Sequence, residues 1–339
     1  MTEHIEALRP AAGSVARRSS SLRLRELSLI PAIVLAIIVG SLVSDAFLTT
    51  DNFLNILQQS SELSVLVIAE SLILIAGKFD LSLESVVGLA PMLGAWLIIK
   101  DTVVGGSGVG LSWYFAIMVV FACGAVVGIV NGFLIVKLRL NAFIVTLAML
   151  ILLRGVVLGA TNGKTLFDLP DGYLYLGSGK LAGIPVSIWI AGLLYLVFGL
   201  LLRYHRWGRA LYAIGGNAEA ARTAGIRVER VLWGVLIVGG MLAALAGLML
   251  TGRIASVVTS QGQNMIFYVF AAAVIGGISL DGGRGRLVGA LTGVLLLGIL
   301  QNVLTLAEIP AFWIDAAYGA IILVALILAR VTSGASEEL

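Results

Sequence analysis

The sequence predicts an all-α polytopic membrane protein with about ten transmembrane helices, some of them discontinuous or re-entrant, and with both termini in the cytoplasm. Of its 339 residues, 59% are hydrophobic and only 12% are charged. No soluble domain buries so large an apolar fraction. The apolar residues also fall into runs of about 20, which is the length that crosses the hydrocarbon core as a helix.

The ten expected spans follow the apolar runs. They lie near 28–47, 61–77, 84–99, 112–136, 141–160, 185–202, 229–252, 265–279, 287–306 and 311–329. Between the first two, the stretch TDNFLNILQQS at 50–60 predicts a separate amphipathic segment at the membrane interface, with Asp51 as its N-cap. The outer loop at 161–184 is rich in Gly, Pro and Asp, which predicts turns and one short helix.

The distribution of Lys and Arg supports this topology. With the N-terminus in the cytoplasm, 17 of these residues fall on the cytoplasmic side and 5 on the other side. Cytoplasmic loops of membrane proteins carry such an excess. The resulting organisation is a disordered basic cytoplasmic tail at 1–27, a transmembrane domain at 28–330 and a cytoplasmic tail at 331–339.

The basic interval at 203–230 is the longest polar stretch within the apolar chain, and it predicts one short capped helix. Asn217 is a good N-cap, and Glu219 in the first turn complements the helix dipole. Arg222 lies near the C-terminus, and Gly225 suits the left-handed residue that closes a helix. Two turns are too short to be stable alone. The helix is therefore either an ordinary ordered loop or a docking element for another protein.

Two patterns of small residues recur along the chain. Gly124, Gly128 and Gly132 form one ridge, and Gly285, Gly289 and Gly293 form another. Such ridges let helices approach closely in lipid, and packing within the chain is favoured here over a dimer interface. In addition, IAGKFDLSLESVVGLA at 75–90 resembles VIGGISLDGGRGRLVGA at 274–290. This internal repeat indicates duplicated broken helices of the kind that transporters place at their pathway.

Charged and polar residues within the spans are the candidates for the pathway, because each needs a partner or a wet cavity. We expect Lys78 to pair with Asp80 or Glu84 and so to stabilise the turn that follows the second span, with lining of the pathway as the alternative role. Glu70 either faces a cavity or accepts hydrogen bonds from backbone groups of a neighbouring helix. Uncharged polar residues can form hydrogen bonds either with a hydroxylated solute or with neighbouring helices. The candidate pathway residues are Gln58, Glu70, Asp80, Ser82, Asn131 and Asn302.

The sequence argues against an enzyme. The stretch GATNGKT leaves three residues between Gly159 and Gly163, whereas the phosphate-binding loop needs four. We find no catalytic motif such as GxSxG or HExxH, and a single cysteine and two histidines exclude Cys- or His-based metal clusters. We therefore expect no cofactor, no metal and no nucleic acid partner for this chain.

Three motifs, in order and spacing, resemble the permease subunits of bacterial ABC importers for ribose, xylose, related sugars and autoinducer-2. They are DNFLNILQQSSELSVLVIAESLILIAGKFDLSLES, RWGRALYAIGGNAEAARTAGI and AAAVIGGISLDGGRGRLVGALTGVLLLGILQNVLTL. The stretch TLAMLILLRGVVLGATNGK at 146–164 is also similar, so that the resemblance covers about 50–330.

The resemblance implies a division of labour between subunits. In that family a cytoplasmic ATPase subunit uses ATP and Mg²⁺, an extracytoplasmic binding protein delivers the solute, and two permeases, copies or paralogues, form the pathway in the plasma membrane. A coupling helix of the permease docks into a groove of the ATPase. By resemblance, the coupling residues here are Gly215, Gly216, Asn217, Glu219, Ala220, Ala221, Arg222 and Gly225.

The chain departs from the family pattern at two places. Lys78 and Glu84 stand where the family usually has Gly, and QGQNMIFYVFAAA, which starts at Gln261, lacks the acidic residue commonly found before the AAA run. These departures bear on the identity of the solute rather than on the class of transporter. The alternative function is an ion-coupled carrier without an ATPase, in which Glu70 could relay protons.

Overall fold

The structure is a computed structural model, and it describes residues 29–102, 105–310, 312–314, 316, 317, 319, 320 and 323. The predicted tails at 1–27 and 331–339 lie outside the described residues, as does much of the predicted span at 311–329. These parts of the expected organisation stay predictions.

The described chain is helical, which confirms the all-α prediction. In order, the helices are α1 (Ile30–Val43), α2 (Thr50–Ile75), α3 (Leu83–Ile98), α4 (Trp113–Gly132), α5 (Ala142–Thr161), α6 (Asp171–Ser178), α7 (Val186–Tyr204), α8 (Arg206–Gly216), α9 (Ala218–Thr223), α10 (Val228–Ile254), α11 (Met265–Ile275) and α12 (Leu287–Leu306). A π-helical segment, Phe133–Lys137, extends α4. Strands β1 (Lys180–Leu181) and β2 (Ile184–Pro185) form a small antiparallel hairpin after α6.

Six of the described helices are long and apolar enough to cross a membrane: α2, α4 with its π-helical extension, α5, α7, α10 and α12. Helices α1, α3 and α11 are apolar but shorter. The chain is therefore a polytopic membrane protein. The short helix predicted within the outer loop is α6.

The prediction of a separate interfacial segment at 50–60 is wrong, because this stretch is the first half of the 26-residue helix α2. Its N-cap is Thr49 rather than Asp51, and the Thr49 side chain accepts a hydrogen bond from the backbone N–H of Asn52. The polar side chains that suggested a break are instead bonded to other parts of the fold. Gln58, for example, donates to the carbonyl oxygen of Gly177 at 2.8 Å.

Helix α2 lies at the centre of the packing. Residues 64–75 are all buried, because α10, α12, α7 and α11 all contact this helix. The glycine ridges also pack within the chain, as predicted. A Cβ atom on Gly124 would overlap the carbonyl oxygen of Gly240 on α10, and one on Gly289 would overlap the carbonyl oxygen of Gly276. Glycine is needed at these positions because the two backbones touch.

The internal repeat corresponds to two similar turns, which we call the first polar turn (76–82, between α2 and α3) and the second polar turn (276–286, between α11 and α12). Each turn has a left-handed glycine, Gly77 with φ 71° and Gly277 with φ 86°. In both turns this glycine N–H donates to the carbonyl oxygen three residues earlier, and the next N–H donates to the carbonyl five residues earlier, at 2.8–3.1 Å. This is the hydrogen-bond pattern of a helix ended by glycine.

Candidate coupling segment and buried polar sites

The segment between α7 and α10 contains two helices, α8 and α9, rather than the single predicted one. The predicted caps of α9 are confirmed. The Asn217 side chain accepts a hydrogen bond from the N–H of Ala220 at 2.9 Å, and Gly225 has φ 84°. Helix α8 was not predicted because its N-cap is His205, and histidine is not a typical cap residue. The Nδ1 atom of His205 accepts a hydrogen bond from the backbone N–H of Trp207.

Six of the eight predicted coupling residues are exposed and form what we call the docking edge, and the other two are wholly or partly buried. Those exposed are Gly216, Asn217, Glu219, Ala220, Arg222 and Gly225. Ala221 is buried and Gly215 is half-buried. Glu219 and Arg222 form an ion pair of 2.7 Å between largely exposed side chains, and such a pair contributes little to stability. Their exposure leaves them accessible to a second protein.

Gly215, near the end of α8, touches both polar turns. A Cβ atom placed on it would overlap the carbonyl oxygen of Ile75 and the backbone nitrogen of Gly283, and would lie 3.4 Å from the Cα atom of Gly77. The neighbouring residue Gly216 has no such contact, since a Cβ placed there meets nothing within 4 Å. The two adjacent glycines therefore have different surroundings.

Four of the candidate pathway residues lie together in a buried cluster around the first polar turn. The Asp80 carboxylate accepts hydrogen bonds from the Ser82 hydroxyl at 2.5 Å and from the Asn131 amide at 3.1 and 3.3 Å. The Glu70 Oε1 atom accepts from the backbone N–H of Asp80 at 3.3 Å. All four side chains are fully buried or nearly so, and they join α2, the turn and α4.

The predicted ion pair of Lys78 is wrong. Among the described residues, the structure shows no ion pair that joins Lys78 to Asp80 or Glu84. Asp80 points into the interior, where its oxygens are already bonded to Ser82 and Asn131. Glu70 does accept a hydrogen bond from a backbone group, but the donor is the N–H of Asp80 in the turn that follows its own helix α2, and not a neighbouring helix.

The other two candidate pathway residues lie away from this cluster. Gln58 bonds to the backbone of α6. Asn302 on α12 exchanges two hydrogen bonds with Asn52 at the start of α2, at 2.8 and 3.0 Å. Each of these contacts is of the kind that joins neighbouring helices. The role of all six residues in a pathway stays a prediction.

An ion pair between Glu62 and Arg253 was not predicted from the sequence. The Arg253 Nε and Nη2 atoms donate to the two carboxylate oxygens of Glu62, at 2.7 and 3.0 Å. Glu62 is buried in α2, whereas Arg253 is partly exposed near the end of α10. The available signal was Glu62, a charge within the predicted span at 61–77 that needs a partner there, whereas Arg253 lies one residue beyond the predicted span at 229–252.

The two departures from the family pattern meet in the structure. The Glu84 carboxylate accepts a hydrogen bond at 3.3 Å from the backbone N–H of Ile266, which lies in the stretch that lacks the usual acidic residue. Glu84 thus places a carboxylate at the N-terminal end of α11, where the helix dipole favours an anion. With Arg154 and Gln263, it lines a cavity of about 10 Å³.

Comparison with known proteins places the chain among membrane permeases. The family described as branched-chain amino acid transport system / permease component matches residues 52–329. The ribose import permease protein of Escherichia coli K12 is 35% identical over 305 residues, which cover 89% of this chain and 92% of that protein. No solved structure matches significantly.

The names of two further relatives specify other solutes. The L-arabinose ABC transporter permease protein of Azospirillum brasilense is 33% identical over 85% of this chain and 82% of its own length. The autoinducer 2 import system permease protein of Klebsiella pneumoniae is 36% identical over 91% of this chain and 87% of its own length.

Proposed function

Because this chain belongs to the branched-chain amino acid transport system / permease component family, we propose that it is the membrane-spanning subunit of an ATP-binding-cassette importer for a sugar or similar small polar metabolite. As a member of this family whose described residues include six helices able to cross a bilayer, it is a multi-pass protein of the bacterial inner membrane. The solute class rests on the names of its relatives, which specify ribose, L-arabinose and autoinducer 2.

The observation that carries the proposal is the capped helix α9 with its exposed residues between two long membrane helices, α7 and α10. A six-residue helix has little stability of its own. Here Asn217 caps its start, and Ala221 is buried against the rest of the chain. The exposed residues around it are thus held in fixed positions, which is what a docking surface for a separate ATPase requires.

The partners follow from this assignment. A cytoplasmic ATPase subunit docks on α9 and consumes ATP and Mg²⁺, so that this chain needs no nucleotide site. An extracytoplasmic binding protein delivers the solute at the outer loop 161–184, and a second permease, a copy or a paralogue, completes the pathway. The proposed topology has ten spans with both termini in the cytoplasm, in agreement with the bias of Lys and Arg.

Alternating access is the proposed mechanism. Closure of the ATPase dimer moves α9, and packed helices pass the movement on as rigid bodies. In this scheme the polar residues at 58, 70, 80, 82, 131 and 302 border the route of the solute. A pathway that must release its cargo binds weakly, so the binding protein sets the specificity.

Uptake into proteoliposomes tests the proposal. The permease is reconstituted with and without its ATPase subunit and binding protein, and entry of radiolabelled pentoses is measured. We expect uptake only when the ATPase subunit and ATP are both present. Uptake by the permease alone, driven by an ion gradient, would instead establish the ion-coupled carrier and refute the proposed function.

A bulky substitution in α9 provides a second test, of whether the ATPase subunit docks on this helix. Ala220→Trp changes an exposed residue of α9 and should prevent copurification of the ATPase subunit. Lys180→Trp changes an exposed residue of the β-hairpin, in the predicted outer loop, and should leave copurification intact. Equal copurification of both variants would refute docking at α9.

A further inference from the structure

We propose that Gly215 is a positioning residue, through which displacement of α8 and α9 is passed directly to both polar turns. This inference rests on the proposed function and assigns one of its residues a separate task. Gly215 would then belong to an internal joint, whereas Gly216 and Asn217 belong to the exposed docking edge.

The joint consists of three backbones in direct contact. Gly215 lies against the carbonyl oxygen of Ile75 at the end of α2 and against the backbone nitrogen of Gly283 in the second polar turn. The two turns are themselves joined, because the N–H of Gly283 donates to the carbonyl of Ile75 at 2.9 Å. A Cβ on Gly282 would lie 2.7 Å from the Cα atom of Gly77. No side chain fits between these three segments.

A hydrogen bond fixes α8 to the second polar turn at another point. The Tyr212 hydroxyl, one helical turn before Gly215, donates to the carbonyl oxygen of Gly285 at 2.8 Å. Helix α8 is therefore held to the turn both by backbone contact and by a directed hydrogen bond.

Direct backbone contact suits this joint to the transfer of movement. Side chains can absorb a displacement by changing rotamer, but backbones in van der Waals contact cannot, and close-packed interiors transmit strain. A shift of α8 therefore displaces the two turns. The first polar turn carries Asp80, which binds Asn131 of α4. The second turn begins at Gly276, which touches Gly289 of α12.

These contacts give the movement two routes into the membrane region. One runs from Gly215 through the first polar turn to α3 and α4, and the other runs through the second polar turn to α11 and α12. The two turns share one pattern of hydrogen bonds, and one residue of α8 touches both. A single displacement would therefore act on both broken helices at once.

A matched pair of variants tests this role in the assembled transporter. Gly215→Ala places a methyl group into the joint, whereas Gly199→Ala, in the membrane helix α7, places one where nothing lies within 4 Å. Copurification of the ATPase subunit, ATP hydrolysis and solute uptake are measured for each. For Gly215→Ala we expect normal copurification and hydrolysis, but a fall of about tenfold in uptake per ATP hydrolysed, within the range of coupling mutations. Gly199→Ala should retain the wild-type ratio.

Tyr212→Phe provides an independent test if Gly215→Ala fails to fold. It removes the hydrogen bond to Gly285 without adding an atom to the joint, and we expect a reduction of roughly threefold in uptake per ATP hydrolysed, at the lower end of the same range. An unchanged ratio in Tyr212→Phe, or equal ratios in the two glycine variants, would overturn the inference. If wild-type uptake needs no ATPase, the proposed function itself fails, so the two failures are distinguishable.

Discussion

Arg253 and Glu62, 191 positions apart in sequence, meet through two hydrogen bonds of 2.7 and 3.0 Å. The ion pair ties the C-terminal end of α10 to the first half of α2, the helix at the centre of the packing. Removing one partner of a buried pair leaves a charge without compensation, which typically costs about 3–5 kcal/mol. Since Arg253 is partly exposed, the cost here should be smaller.

We therefore predict that Glu62→Gln lowers stability by about 2 kcal/mol, a discounted value for a half-exposed partner. Thermal unfolding in detergent measures this. The control is Glu219→Gln, which breaks the exposed pair with Arg222 and should cost less than about 1 kcal/mol. Equal losses in the two variants would show that burial of Glu62 adds nothing to the pair.

The buried cluster at the first polar turn gives a second prediction. Asn131→Ala removes the amide that donates to both oxygens of Asp80. Ser82 still donates to Oδ1, but Oδ2 loses its donor, and a buried acceptor left without a donor costs about 1–3 kcal/mol. We expect a lower melting temperature and a loss of uptake, because the turn loses its link to α4. The control is Gln59→Ala, which should be nearly neutral. Among the described residues, the Gln59 amide donates to Asn55 in an exposed position. A melting temperature for Asn131→Ala equal to that of this control would contradict the prediction.

Substitutions of Glu70 test whether stability and uptake depend on the charge of its side chain or on its shape and hydrogen bond. Its carboxylate is fully buried, and its only hydrogen bond within the described chain comes from the N–H of Asp80. An uncompensated charge in the membrane is costly, so Glu70→Gln, which keeps the acceptor oxygen, should preserve stability and uptake. Glu70→Ala should reduce both, because it leaves a void and an unpaired N–H. Loss of uptake in Glu70→Gln with normal stability would favour proton relay.

Helix packing gives a fourth prediction. Gly240→Ala inserts a methyl group against the carbonyl oxygen of Gly124, whereas Gly192→Ala in α7 meets nothing within 4 Å. Overpacking of this kind costs about 1–3 kcal/mol, while alanine in an open helical position gains up to about 1 kcal/mol over glycine. Thermal unfolding should therefore shift in opposite directions. A shift of the same sign in both variants would refute the close α4–α10 contact.

What could be predicted from the sequence was mostly local. The caps at Asn217 and Gly225 depend on residues within one helical turn, so they could be recognised. The repeat at the two polar turns was also visible, because both copies keep the glycine that ends a helix. The break predicted before residue 61 was wrong, since polar residues in α2 are compensated by partners on α6 and α12 that lie far away in sequence.

Contacts between residues far apart in sequence could not be predicted, for the same reason. Asp80 was expected to pair with nearby Lys78, yet its partner is Asn131 on another helix. Sequence spacing fixes which side chains share a helix face, but it does not fix which helices become neighbours. The joint at Gly215 depends on three segments that come together only in the folded chain.

Chemical labelling from each side of the membrane is the most direct test of the central claim, that α9 is a cytoplasmic docking surface for a separate ATPase. Ala220→Cys and Lys180→Cys are made in a Cys123→Ser background and treated with a maleimide that cannot cross the membrane. The cysteine at position 220 should react in inside-out vesicles and be protected when the ATPase subunit is bound, while the cysteine at 180 should react in intact cells. Reaction of position 220 in intact cells, or no protection by the ATPase subunit, would contradict the account.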